Sequence, residues 1–379
     1  MNSDQGNYEA LIIGGGFYGA VIANHLVEEL GFKRVILVEK EHHLMLRASA
    51  NNQARVHLGT HYPRDLKTAM SSRSNQPQFL EKFNTSIYSE FTHLYALARL
   101  SSKVSSTQFR KFCENAEIEL KNASDSQRAL FNSDTIEEVF VVKEPVFNAE
   151  ELSRLVAGQM KKNGVEVMLG LSAKRLRKDN SDCVVVSCVD KSENLIEITS
   201  KFVFNCTYSE IDTLEGDLAG IQTKLKYELA EVALFVPPKE LEDFGITVMD
   251  GNFFSFIPFP SKQLHSLTHV KYTPRLTWND ELPRIKKYNS NKSYPDINSS
   301  YDLMIRDSQK YVPNLTASIY VESFYETKVL LVVNENDDGR PILFEEDTKL
   351  RNFYYVLGSK LDNVFDVLKK ISAVVRQSV

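Results

Sequence analysis

The segment from Ala54 to Arg64 is dense in side chains that can take part in chemistry. It contains His57, His61 and Tyr62 as well as two arginines. A neutral histidine can accept a proton from an alcohol or an ammonium group near neutral pH. An arginine can bind a carboxylate through two parallel hydrogen bonds. We interpret the segment as the lining of a site, although a polar surface loop has a similar composition.

A second set of residues with a chemical meaning lies near the N-terminus. An apolar run, residues 10–13, predicts a buried strand, and a helical pattern begins at Phe17. Between and just beyond them, Gly14, Gly16 and Gly19 have the G-x-G-x-x-G spacing. The first glycine permits a tight turn, the second lets a pyrophosphate approach the backbone, and the third lets helix and strand pack closely. The helix N-terminus then directs N–H groups and a positive dipole at the phosphates.

The next predicted strand supplies the acidic residue that accompanies this motif. It covers residues 34–38 and ends at Glu39, which lies 20 residues after Gly19, where a ribose-binding acid is expected. A structural glycine turn followed by a surface glutamate would give the same pattern. The motif also does not distinguish FAD from NAD. Dinucleotide binding is the working hypothesis.

The C-terminal region contains a second predicted strand–glycine–helix corner. A strand over residues 353–357 precedes Gly358, and a helix is expected from Leu361 to about residue 375, with Ser359 and Asp362 as its capping pair. A helix N-terminus stabilises negative charge, such as the charge that two-electron reduction places on a flavin. The lysine that follows Ser359 could add a full positive charge. An ordinary capped helix start remains the alternative.

Hydrophobic periodicity predicts the elements between the two corners. Residues 66–130 show helical spacing, and a helix over 149–162 lies between strands, as in the βαβ units of a parallel sheet. Alternating strands predominate over 216–329, with a hairpin turn at Asp250-Gly251 and one helix near 301–311. The mostly polar residues 278–300 predict an exposed loop.

These patterns predict an α/β fold made of two domains. One is a discontinuous, Rossmann-like dinucleotide-binding domain, which the family resemblance given below implies is an FAD-binding domain, and the other is an antiparallel-sheet α+β substrate domain. The expected boundaries are 1–80, 144–215 and 330–379 for the FAD-binding domain, and 81–143 and 216–329 for the substrate domain.

Composition excludes several classes of protein. The 379 residues carry a formal net charge of −5, which gives no reason to expect a nucleic-acid partner. The short basic run 174–178 reads as a solvated surface. No apolar stretch approaches the length of a membrane span, and the four cysteines have no zinc-binding spacing. We therefore expect a cytoplasmic protein with no metal site; its oligomeric state stays open.

In chain order, these motifs resemble the FAD-dependent oxidoreductases of the D-amino-acid oxidase (DAO) superfamily. The segment His57-Leu58-Gly59 is similar to the H-x-G segment of the 2-hydroxyglutarate dehydrogenase branch. Arg340-Pro341 and Gly358-Ser359-Lys360 are similar to the R-P and G-G-K elements of the glycerol-3-phosphate dehydrogenase branch. A serine replaces the middle glycine of the latter, so one close backbone approach would be altered. No substrate signature of a named branch is intact.

The resemblance implies that FAD binds in an extended form and accepts a hydride at flavin N5 from a carbon that bears an amine or a hydroxyl. Non-covalent binding is favoured, but some relatives attach the flavin through a histidine at the position of His57. The implied cofactor-binding residues are Gly14, Gly16, Phe17, Tyr18, Gly19, Glu39, Lys40, Arg47, Ser49, Asn52, His57, Thr207, Gly358, Ser359, Lys360 and Leu361.

The residues expected to contact the substrate or carry out the chemistry are His57, His61, Tyr62, Arg64, Tyr272 and Arg340, with Arg275 as a further candidate. The leading hypothesis is an oxidase or dehydrogenase of a small amino or hydroxy compound, with oxygen or a quinone as electron acceptor. A non-redox flavoenzyme similar to the sugar-ring mutases is the alternative. A flavin-binding scaffold without turnover would lack the polar residues of segment 54–64.

Overall fold

The computed structural model describes residues 7–179, 182–249, 251, 253–279, 297–332 and 341–377. Within these residues the elements follow in the order β1 (Tyr8–Ile13), α1 (Phe17–Glu28), β2 (Val35–Glu39), α2 (Leu66–Lys82), β3 (Ile87–Tyr88), β4 (Thr92–Ala98), α3 (Ser106–Asn115), β5 (Lys121–Asn122), α4 (Asp125–Arg128), β6 (Ile136–Val142), β7 (Val146–Phe147), α5 (Ala149–Lys162), β8 (Glu166–Leu169), β9 (Ser172–Lys178), β10 (Val184–Val189), β11 (Leu195–Asn205), β12 (Glu215–Gly216), β13 (Leu225–Val236), β14 (Phe244–Met249), β15 (Phe254–Phe259), β16 (Leu264–His269), β17 (Pro274–Asn279), α6 (Tyr301–Ser308), β18 (Ile319–Leu331), β19 (Leu343–Glu346), β20 (Phe353–Leu357) and α7 (Val364–Gln377).

The first sheet has a parallel centre. Its order is β12-β9-β10-β11-β1-β2-β8, with β20 also paired to β11 and β19 paired to β20. Strands β8, β2, β1, β11 and β20 run parallel. Because side chains alternate along β1, Ala10 and Ile12 pack with α1, α5 and α7 on one face, while Leu11 and Ile13 pack in the core on the other face. The pattern is that of a doubly covered, Rossmann-like sheet.

The second sheet, which we call the cap sheet, is mainly antiparallel. Its order is β17-β13-β16-β15-β14-β4-β6-β5, and β18 pairs along the whole of β13. Only the β14–β4 pair is parallel among its described pairs. Phe109 of α3 and Tyr301 of α6 pack in separate apolar clusters with this sheet. The mixed α/β architecture and its Rossmann-like sheet confirm the predicted fold class. The predicted domain limits stay a prediction.

The prediction of continuous helix over residues 66–130 is wrong. Helix α2 ends at Lys82, and Thr92–Ala98 forms strand β4 in the middle of the cap sheet, paired with β6 and β14. Almost every residue of β4 is buried. A strand buried on both faces carries a continuous apolar run, and periodicity cannot distinguish such a run from a buried helix.

The predicted loop over residues 278–300 is wrong at its start. Trp278 belongs to β17, is buried, and stacks on Tyr227 with ring centroids 5.7 Å apart. Residues 280–296 lie outside the described part of the chain. Asp250 of the predicted hairpin turn also lies outside it, but β14 and β15 on either side pair antiparallel, as a hairpin requires.

Candidate functional site

The N-terminal glycine turn is packed so closely against neighbouring backbone that two of its glycines have no room for a side chain. Gly14 has φ +103°, in the region that favours glycine, and a Cβ there would lie 2.7 Å from the carbonyl oxygen of Cys206. A Cβ on Gly19 would lie 2.0 Å from the carbonyl oxygen of Gly14. A side chain at Gly19 would therefore push α1 away from the end of β1. The tasks expected of the first and third glycines match this geometry.

Glu39 braces the same turn from the end of β2. Its carboxylate accepts hydrogen bonds from the backbone N–H of Gly15, at 2.5 Å, and of Glu41, at 2.8 Å. Each oxygen keeps a lone pair that could accept from a ribose hydroxyl. The neighbouring Lys40 forms an ion pair with Glu210. Glu39 therefore lies at the end of β2, directly beside the glycine turn.

A cavity of about 630 Å³ extends from the glycine turn to the cap sheet. It is lined by these sequence-predicted residues: Gly14, Gly16, Phe17, Tyr18, Glu39, Lys40, Arg47, Ser49, Asn52, His57, His61, Tyr62, Arg64, Thr207, Gly358, Ser359, Lys360 and Leu361. The structure therefore brings both glycine corners and the segment 54–64 to one cavity.

Three candidates among the described residues do not line this cavity. Gly19 packs inside the turn. The Tyr272 hydroxyl donates a hydrogen bond to Asp307, at 2.8 Å, and Arg275 forms an ion pair with Glu231 in the cap sheet. Arg340 lies outside the described part of the chain. Tyr272 and Arg275, which we expected to contact the substrate, pair with other cap residues instead.

The C-terminal corner differs from the prediction. Helix α7 begins at Val364, not Leu361, so Ser359 and Asp362 do not cap it. Residues 358–363 form a bend instead, and Lys360 turns inward, with its amine against the Ser72 hydroxyl and 3.8 Å from the Asp362 carboxylate. Both charged side chains are buried. Burial raises the pKa of Asp362, while the neighbouring Lys360 opposes that rise.

The two corners are in direct contact through Tyr18. Its hydroxyl donates a 2.6 Å hydrogen bond to the carbonyl oxygen of Lys360. A Cβ on Gly358 would lie 1.8 Å from the same hydroxyl oxygen. Gly358 is therefore needed for contact with the helix that follows the first corner. Lys360 also places its amine 4.8 Å from the centre of the Tyr62 ring, within cation–π distance.

Four aromatic rings form one wall of the cavity. The His57 ring lies 6.0 Å from that of His61 and 5.7 Å from that of Tyr62, and the His61 ring lies 5.1 Å from that of Phe253. Phe253 precedes β15 of the cap sheet, so the wall joins the loop before α2 to the cap sheet. Sequence analysis identified the first three rings and missed Phe253, whose position depends on how the sheets meet.

Sequence analysis also missed a buried polar cluster behind this wall. Arg55 donates to Glu144 at 3.0 Å, and Tyr95 donates to the same carboxylate at 2.6 Å. Arg55 also contacts Thr247 and Ser255. The sequence singled out Arg55 only as a member of segment 54–64. Its partners come from β4, β14, β15 and the turn before β7, so no local pattern connects them with Arg55.

Further missed lining residues come from the cap sheet. Glu326 of β18 forms an ion pair with Arg47 at 2.8 Å. This ion pair connects the loop after β2 to the cap sheet. His269 lines the cavity at the end of β16, and burial lowers the pKa of its imidazole to about 4. Asn51 of the loop after β2 and Met249 of β14 also line the cavity. Neither these two nor the remaining lining residues of the cap sheet belong to a sequence motif.

The described residues contain no group of three or more histidine, cysteine, aspartate or glutamate side chains that could hold a metal ion. None of the helices described is long and apolar enough to cross a membrane.

Comparison with known proteins agrees with this geometry. A profile of the DAO family, described as FAD dependent oxidoreductase, matches residues 9–360. A curated relative, the FAD-dependent monooxygenase FPY4 of Fusarium mangiferae, is 23% identical over 372 residues, which cover 96% of this chain and 90% of the relative.

Solved structures share the fold at low identity. L-α-glycerophosphate oxidase of Mycoplasma pneumoniae, solved with FAD bound, has a TM-score of 0.72 at 14% identity, covering 96% of this chain and 93% of that one. Glycine oxidase of Geobacillus kaustophilus has a TM-score of 0.69 at 13% identity, covering 97% and 94%. L-proline dehydrogenase of P. horikoshii has a TM-score of 0.67 at 14% identity, covering 98% and 94%.

The family profile covers the first glycine corner, the segment 54–64 and the chain as far as Lys360. The chain is an enzyme of the DAO family of FAD-dependent oxidoreductases.

Proposed function

We propose that this enzyme oxidises a C–N or C–OH bond of a small amino or hydroxy compound. The observation that carries the proposal is the wall formed by His57, His61 and Tyr62, which faces the same cavity as the glycine cradle. FAD, when bound, supplies a hydride acceptor at flavin N5. The names of the solved relatives, glycine oxidase, proline dehydrogenase and glycerophosphate oxidase, fit this class of substrates.

Different residues along the cavity would bind the cofactor and accept the proton of the substrate. The backbone of the Gly14–Phe17 turn and the N-terminus of α1 would hold the pyrophosphate, and Glu39 would accept from the ribose. We favour FAD bound without a covalent link, which leaves His57 able to exchange protons. In its neutral form, His57 would take the proton released by the alcohol or ammonium group, and His61 is the second candidate.

The carboxylate of an amino or hydroxy acid would need a guanidinium partner. Arg47 and Arg55 already bind Glu326 and Glu144. Arg64, which lines the cavity, and Arg340 are the candidates that we propose for this contact. The aromatic wall would hold the apolar part of the substrate and exclude water from the reacting carbon.

A substrate panel tests this proposal. Small amino acids, secondary amines and 2-hydroxy acids would be supplied to the FAD-loaded enzyme, with oxygen and a quinone analogue as alternative acceptors. We expect one of these groups to give acceptor reduction together with an imino, keto or aldehyde product. Conversion of a sugar substrate without reduction of any acceptor would instead support the non-redox alternative.

Arg64→Lys provides the matched variant. It keeps the positive charge but removes the bidentate geometry, so the KM for a carboxylate substrate should rise by about tenfold while an uncharged amine is unaffected. An equal effect on both substrates would exclude Arg64 as the carboxylate partner.

We also infer a cytoplasmic location, supported by four cysteines that are all free. The domain limits predicted above are also part of this proposal. Limited proteolysis with and without FAD would test those limits.

A further inference from the structure

We propose that Glu144 is a positioning residue whose carboxylate favours hydrogen on Nδ1 of His57, so that Nε2 of His57 accepts the proton of the substrate. This inference rests on the proposed function, in which His57 accepts that proton. It adds a residue that does not line the cavity and acts only through the histidine. The evidence is the geometry of the buried cluster behind the aromatic wall.

Glu144 is a buried carboxylate held in a fixed orientation. It is only 2% exposed, and one of its oxygens, Oε2, accepts from Arg55 at 3.0 Å and from Tyr95 at 2.6 Å. The other oxygen, Oε1, accepts from the backbone N–H of Leu58 at 2.9 Å. The last bond ties the carboxylate to the residue that directly follows His57.

The same oxygen faces the His57 ring. The distance from Glu144 Oε1 to His57 Nδ1 is 3.9 Å. This exceeds hydrogen-bond distance, so the interaction between the carboxylate and an Nδ1–H is electrostatic attraction at ion-pair range. Nδ1 is buried, yet the His57 side chain as a whole is 20% exposed and lines the cavity. The exposed part of the ring is therefore the edge away from Glu144. A neutral imidazole with hydrogen on Nδ1 has its lone pair on Nε2.

The other ionisable groups around Glu144 and His57 are consistent with hydrogen on Nδ1 of His57. Burial raises the pKa of the Tyr95 phenol well above its usual value, so Tyr95 remains a hydrogen-bond donor to Glu144. Burial, and next the Arg55 charge, lower the pKa of His93 well below its usual value, so this nearby ring stays neutral. Arg55 binds Oε2 and leaves Oε1 directed at His57.

His61 and Tyr62 contact the other sides of the His57 ring. Glu144 contacts His57 from the buried side of the ring. A carboxylate that orients a histidine fixes which ring nitrogen carries the proton and stabilises the charged form as it develops.

The proton position on His57 tests the inference without a substrate. The FAD-loaded enzyme would be labelled with ¹⁵N-histidine, and the His57 signals assigned by their loss in His57→Gln. We expect the neutral ring to carry hydrogen on Nδ1. Hydrogen on Nε2 would overturn the proposal. Because this measurement needs no turnover, it stands apart from the test of the proposed function.

The variant Glu144→Gln tests the consequence for catalysis. Loss of the carboxylate charge removes the anion beside the imidazolium, so the acid limb of the pH profile for flavin reduction should move to lower pH. The plateau rate should fall by about tenfold. A folded variant with an unchanged limb and plateau would contradict the proposal.

Glu231→Gln is the matched control. Glu231 is equally buried and pairs with Arg275, but it lies in the cap sheet outside the cavity lining. Both variants break a buried ion pair, and the control should leave the acid limb unmoved. An equal movement in both would contradict the proposal. Should Glu144→Gln not fold, the proton position on His57 in the unmodified enzyme decides.

Discussion

The two glycine corners of this enzyme show how differently a strand–glycine–helix pattern can fold. At the first corner, β1, the glycines and α1 follow one another as expected, with α1 beginning at Phe17. At the second, the chain bends for six residues after β20 before α7 begins at Val364. The first corner is determined by adjacent residues, whereas the second is determined by what it packs against.

This difference makes the second corner dependent on the first. Gly358 contacts the Tyr18 hydroxyl, and the Lys360 carbonyl accepts from it. A disruptive substitution at the first corner should therefore affect both corners. A substitution at the second corner should leave the glycine turn of the first corner in place. Four substitutions test this order, beginning with the largest expected effect.

Gly19→Ala should be the most severe. The new Cβ would lie 2.0 Å from the Gly14 carbonyl oxygen, which is backbone and cannot turn aside. We expect a loss of about 3 kcal/mol in the free energy of unfolding and loss of most bound FAD, measured by denaturant titration and released flavin. Gly158→Ala in α5 is the control, since a Cβ there meets nothing within 4 Å. Equal behaviour of the two variants would refute the cradle.

Gly358→Ala should have an intermediate effect. Its Cβ would lie 1.8 Å from the end of the Tyr18 side chain, which can shift at a cost of about 2 kcal/mol. FAD should be retained at lower affinity. Combining it with Tyr18→Ala should recover about 1 kcal/mol relative to the sum of the single variants. Strict additivity would show that the corners are not coupled.

Tyr18→Phe should cost less. It removes the hydrogen bond to Lys360 and leaves the ring in place, so we expect a loss of about 1 kcal/mol in unfolding free energy. The visible spectrum of the bound flavin should change little. A loss of FAD as large as that of Gly19→Ala would mean that the hydroxyl has a direct role in binding.

Ser359→Gly should have the smallest effect. It restores the glycine of the related G-G-K element, and no described group hydrogen-bonds to the Ser359 hydroxyl. The free energy of unfolding should change by less than about 0.5 kcal/mol, with FAD affinity within about twofold, by calorimetry. A gain of tenfold in affinity would show that the serine obstructs the cofactor.

The first corner was predictable because every signal in it is local. Strand β1, the glycines, α1 and Glu39 at the end of β2 lie within one βαβ unit, and their spacing specifies their contacts. The helix over Ala149–Lys162 was predictable for the same reason, with Asn148 capping it through bonds to Glu150 and Glu151.

The rest of the site depends on contacts between distant parts of the chain. Arg55 meets Tyr95 and Glu144 across 40 and 89 residues, and none of them carries a motif for this pairing. The apolar run of β4 does not distinguish a buried strand from a buried helix. Lys360 turns inward because its amine contacts the Ser72 hydroxyl of α2. This contact joins distant parts of the chain, so a helix-capping pattern does not predict it.

The most direct test of the proposed function is anaerobic mixing of the FAD-loaded enzyme with its best substrate, unlabelled or deuterated at the reacting carbon. We expect the visible flavin absorbance to bleach, with about one flavin reduced per substrate consumed, and the deuterated compound to react several-fold more slowly. Product formation while the flavin stays oxidised, or bleaching with no isotope effect in a single turnover limited by chemistry, would contradict hydride transfer from that carbon.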